Sequence, residues 1–191
     1  MKHIKLAAAA AFVVGLTAAG SASADNGVIR FTGTVSDATC VVSGGAGTTG
    51  QIGNFTVDLP TVPTTALAAP GDTAGRKPFQ IVFSDGNGGG CDPAGGTNAH
   101  FRYLASSQPV DASTGNLMNT LTQIEGAADN VQLQLLDNAN AVIDLRNDAG
   151  RDHALDANAP VAVTYGVEYV ATGASTAGGV RSFVEYQVTY N

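Results

Sequence analysis

Apolar and polar residues alternate one for one along several short runs of this chain. Ile29, Phe31, Gly33 and Val35 share one side of an extended segment, with Arg30, Thr32 and Thr34 on the other. Phe101, Tyr103 and Ala105 alternate with His100, Arg102 and Leu104, and Val131, Leu133 and Leu135 alternate with Gln132 and Gln134. Val161, Val163, Tyr165, Val167 and Tyr169 form a longer series, and Val184, Tyr186, Val188 and Tyr190 close the chain in the same way. Phe79 to Phe83 is a further short strand. A period of two places each apolar set on one face of a strand and buries that face. No segment carries a sustained helical period, so the pattern predicts an all-β sandwich.

Turn residues separate these runs. Ser43 to Gly50 is a Gly/Thr loop, and Ser84 to Gly96 is rich in glycine around Cys91. Asp137-Asn138-Ala139-Asn140 reads as a hairpin turn. Leu59 to Lys77 holds Pro60, Pro63 and Pro70 and is expected to be a long surface connection, with no helix placed near Leu67.

The N-terminus changes what counts as the folded domain. Lys2 and Lys5 precede an apolar run from Leu6 to Gly20, and Ala22-Ser23-Ala24 follows in an A-x-A pattern. This is the design of a secretory signal, residues 1–24, with cleavage after Ala24. The run is 15 residues long, short of the roughly 20 needed to span a bilayer. From Asp25 onward the chain has seven basic and 16 acidic residues, a net charge of −9 (7 − 16). An acidic chain with a single remaining lysine, Lys77, argues against nucleic acid and anionic membranes as partners, and with no later segment long and apolar enough to span, no membrane insertion is expected. Export makes a disulfide the default for Cys40 and Cys91, ahead of two free thiols or half a metal site.

No constellation points to chemistry. His100 and His153 lie far apart and are expected to be solvated strand and loop residues rather than metal ligands. Asp85-Gly86-Asn87-Gly88-Gly89 lacks the downstream acid of a calcium loop. There is no G-x-S-x-G elbow, and Gly44-Gly45-Ala46-Gly47 is followed by no Lys-Ser/Thr. Glu125, Asp129, Glu168 and Glu185 are carboxylates with nothing to single them out as an acid–base pair. The expectation is no enzyme, no cofactor and no metal. A self-contained secreted β-sandwich that binds a ligand is the alternative reading.

Several segments together carry a family resemblance. The stretch from Gly27 through Ile29, Phe31, Gly33 and Val35 to Cys40 resembles the start of subunits of chaperone–usher fimbriae, in the type 1 and P pilus family. Val131 to Asp137 and Val163 to Gly173 resemble its middle and late strands. The end resembles it most, with a glycine at the fourteenth position from the terminus, Gly178, and a penultimate tyrosine, Tyr190. The resemblance implies an incomplete immunoglobulin-like β-sandwich, residues 39–191, preceded by an N-terminal extension, residues 25–38. In such a family the extension is a donor strand, here Ile29, Phe31, Gly33 and Val35, that fills a groove in a neighbouring copy. Cys40 and Cys91 would be its disulfide. Gly178, Val184, Tyr186, Val188 and Tyr190 would belong to the C-terminal region that borders the groove and meets a periplasmic chaperone. The implied partners are further copies in a helical fibre, that chaperone and an outer-membrane usher. The implied location is the cell surface.

Overall fold

The computed structural model describes residues 40–93, 96–105 and 109–191. The expected signal peptide and the expected donor strand, including Ile29, Phe31, Gly33 and Val35, lie outside the described residues.

Eleven strands account for the described fold. They are β1 (Val41–Gly44), β2 (Thr49–Gln51), β3 (Asn54–Thr56), β4 (Thr73–Ser84), β5 (Asn98–Leu104), β6 (Leu117–Met118), β7 (Val131–Leu136), β8 (Val142–Ile143), β9 (Arg151–Ala154), β10 (Val161–Ala171) and β11 (Glu185–Tyr190). All strand pairings are antiparallel. One sheet runs β1-β4-β10-β7-β6, with β8 also on β7. A second runs β11-β5-β9, and β2 pairs with β3 as a separate hairpin.

The two larger sheets meet through their alternating faces. Phe79, Ile81 and Phe83 of β4 and Val163, Tyr165 and Val167 of β10 share one core with Ala99, Phe101 and Tyr103 of β5. Phe83 and Phe101 are fully buried, and the Phe101 ring lies 5.5 Å from that of Tyr165. Burying side chains of this size contributes roughly 1.5–3 kcal/mol each. The expected sandwich is therefore present, built on the runs that alternate most clearly.

Three local expectations change. The connection expected from Leu59 to Lys77 ends early, because β4 begins at Thr73 and pairs with the far half of β10 through a register shift between Val167 and Tyr169. Pro78 sits inside this strand without breaking a ladder, since β1 covers only Ile81–Ser84 and leaves Pro78 at a local edge. A short 3-10 turn at Thr64–Leu67 occupies the connection and buries Leu67. The loop-or-strand reading of His153 as solvated fails, because β9 turns it inward, where it is only 9% exposed.

Candidate functional site: an apolar groove between two unpaired edges

β11 alternates exposed and half-buried residues, and its inward set is Tyr186, Val188 and Tyr190. Along one edge it pairs with β5, from Glu185↔Leu104 to Tyr190↔Ala99. Among the described residues no strand pairs with its other edge. Opposite stands the segment from Phe55 to Leu59. Phe55, Val57 and Leu59 turn inward and half-buried while Asn54, Thr56 and Asp58 are exposed. Past Thr56 this segment belongs to no ladder among the described residues. Pro60 and Pro63 remove two of the donors that a ladder would need.

Between these walls lies a cavity of about 500 Å³. Phe79, Ile81, Phe101, Leu117, Leu133 and Leu135 line it from within the core, and Ser182 to Tyr186 line it from the β11 side. Glu185 is the one charged residue among those lining it. The same walls continue past the groove into a second hollow, with Thr61 and Val62 on one side and Gly178 to Val180 on the other. The arrangement is apolar and long, and among the described residues no strand pairs with β11 or β3 on the groove side. It can take an extended peptide that pairs with both edges and drops alternate side chains onto the floor.

The residues expected from sequence fall in distinct places. Val184 and Tyr186 line the cavity. Val188 and Tyr190 are half-buried against the main core further along β11 and do not line it. Burial pushes the phenols of Tyr186 and Tyr190 above their usual range, so both stay neutral at ordinary pH. Gly178 lies at the second hollow, where a Cβ would come within 2.4 Å of the Ala128 amide nitrogen. Gly179 bonds from both sides to the same stretch, accepting from Ala128 and donating to Gly126. Gly178 is thus needed for a close backbone approach. Cys40 and Cys91 form the disulfide, with Cα atoms 5.0 Å apart.

Sequence reasoning missed the facing wall. The alternation of Phe55, Val57 and Leu59 is in the chain, but sequence reasoning gives Phe55 and Val57 no element and starts the proline-containing connection at Leu59. His100 and Asp152 pair at 2.8 Å on the outer face of β5 and β9. Among the described residues no group of three or more His, Cys, Asp or Glu is placed to hold a metal ion.

Comparison with known proteins shows the family. The family model described as FimA: Type-1 fimbrial protein, A, matches residues 59–191. The F17 fimbrial protein of Escherichia coli is 38% identical over 187 residues, covering 94% of this chain and 97% of that protein. The chain belongs to the type-1 fimbrial protein family. The Major fimbrial subunit SMF-1 of Stenotrophomonas maltophilia (strain K279a) is 35% identical, over 90% of this chain and 96% of that one. Among solved structures, one titled as a chaperone–usher pilus that reveals rod uncoiling shares the fold at a TM-score of 0.53 and 16% identity, covering 87% of this chain and 96% of that one. A fimbrial chain is a structural subunit of surface fibres rather than an enzyme.

Proposed function

We propose that this fimbrial subunit polymerises by strand exchange, the groove of one copy taking residues 25–38 of the next. The observation that carries the reading is the apolar cavity held between β11 and the segment from Phe55 to Leu59, with no described strand between them. Ile29, Phe31 and Val35 have the spacing of alternate side chains, and Gly33 is the one position in that series without a side chain. Three such side chains buried together contribute roughly 5–9 kcal/mol, and each backbone hydrogen bond to a wall adds about 0.5–1.5 kcal/mol net. The subunit is the repeating element of the shaft, in keeping with its 35% identity to a protein named as a major fimbrial subunit.

An unfilled groove with open edges is an aggregation hazard. A periplasmic chaperone occupies it first, meeting Gly178, Val184 and the β11 residues Tyr186, Val188 and Tyr190. An outer-membrane usher then exchanges that strand for the extension of an incoming copy. Residues 1–24 direct export and are removed beforehand.

The test uses the chain from Asp25 onward and its Gly33→Arg variant. Wild-type protein should form a ladder of polymers that survives unboiled electrophoresis, and the arginine variant should remain unpolymerised. A wild-type chain that stays monomeric and takes up no peptide of residues 25–38 would refute strand exchange and leave a self-contained binding module.

A further inference from the structure

The groove is not equally open along its length. At one end its two walls touch. The Tyr186 hydroxyl on β11 donates to the Gly53 carbonyl at 3.0 Å, and the Tyr186 ring lies 6.1 Å from that of Phe55. Gly53 and Phe55 belong to the turn and second strand of the β2–β3 hairpin. Tyr186 is in turn stacked on Phe101 of the floor, ring centres 5.2 Å apart. A side chain rooted in the floor therefore ties the hairpin to the opposite edge.

The hairpin itself is weakly held. β2 is exposed throughout, and in β3 only Phe55 is half-buried. Its tip is fixed to the sandwich by the bond from the Gly53 amide to the Val42 carbonyl, 2.8 Å, and by the Tyr186 bond. Gly47, Gly50 and Gly53 all have positive φ, so the hairpin turns on residues that resist bending least.

We infer that the β2–β3 hairpin is a strap across the groove, latched by Tyr186 to Gly53, and that a strand entering along β11 must release it. This rests on the strand-exchange reading and adds the step that sets its rate. The strap holds the empty groove partly closed and shields part of an open edge. An incoming strand gives β11 a new partner and replaces the contact that the latch supplied.

Two variants test the latch from opposite walls, using the full chain from Asp25 and a fluorescent peptide of residues 25–38. Tyr186→Phe keeps the ring on Phe101 and Phe55 but loses the bond to Gly53. Gly53→Ala strains a backbone at φ +79 while adding a methyl group with nothing within 4 Å. Both should take up peptide faster, Tyr186→Phe by about five-fold, the factor for one ordinary hydrogen bond. Uptake should change far more than release of bound peptide. The Gly53 amide should also exchange its proton faster in Tyr186→Phe before peptide is added. If both variants take up peptide at the wild-type rate, or more slowly, the strap does not gate the groove, although strand exchange stands. If wild-type protein takes up no peptide, strand exchange itself fails and the strap with it.

Discussion

His153 shows how one side chain can carry a property of the whole domain. Its Nε2 lies 2.8 Å from the Tyr165 hydroxyl, and its ring packs 6.0 Å from that of Phe83. Burial lowers its pKa, and the nearby Arg151 charge lowers it further. A histidine held neutral in the fold but free to protonate at about pH 6.5 when unfolded costs stability on acidification. The sign is definite: the contribution is complete above about pH 6.5 and is lost as pH falls below it. Carboxylates lose their contributions in a lower window, as with Asp111, whose bonds from Ser113 and Thr114 hold it down at about 2. Melting temperature should therefore begin to fall as pH drops below about 6.5, before the carboxylates titrate. His153→Gln, which can still bond to Tyr165, should flatten that part of the profile. Gln132 is the polar counterpart. Alternation along β7 puts it on the outer face, yet it is buried, accepting from Thr114 and Asn116 and donating to Asp111. The loop that covers it is remote in sequence, so alternation alone had no means of seeing it.

Among the elements, β1 depends most on a covalent tie. It is four residues long, and its preceding residue, Cys40, is bonded to Cys91 across 51 positions. Cys91 is itself fixed, 1% exposed and donating its amide to the Asp156 carbonyl. Closing a loop of this length stabilises by about 4 kcal/mol in the chain-entropy model. Replacing both cysteines by alanine should lower the melting temperature by about 8–16 °C, and a reducing agent should do the same to wild-type protein but nothing to the variant. The contrast among elements also explains what the sequence disclosed. β4, β5, β7, β10 and β11 were legible because each buries one face over five residues or more. β6 and β8 have two residues each, too few for a period. β9 reads Arg-Asp-His-Ala, and its inward residue is a histidine. The groove was half legible. Val184 and Tyr186 announced one wall by alternation, whereas the three alternating residues Phe55, Val57 and Leu59 straddle the start of the proline-containing connection at Leu59 and belong to no expected strand. No local pattern marks the latch either, since Gly53 and Tyr186 are 133 positions apart.

For the molecule as a whole, charge and shape make opposite demands on assembly. The chain carries −7 overall and −9 (7 − 16) from Asp25 onward, so two copies repel as they approach. The segment meant for the groove offers little relief, with Asp25, Arg30 and Asp37 summing to −1. Among the described residues that line the groove, Glu185 is the one charged residue and none is a cation that would draw that segment in. Attraction is therefore apolar and short in range, and repulsion acts from further out. Salt screens the second and leaves the first in place, the Debye length falling from about 30 Å at 0.01 M to below 10 Å above 0.1 M. Polymer formation by the chain from Asp25 should accelerate several-fold as salt rises across that range, while the stability of formed joints stays constant. Timed electrophoresis of unboiled samples measures the first, and dilution of finished polymer measures the second. Slower growth at high salt would mean that opposite charges on two copies meet before the strand enters, a contact that the net charge and the lining of the groove give no reason to expect.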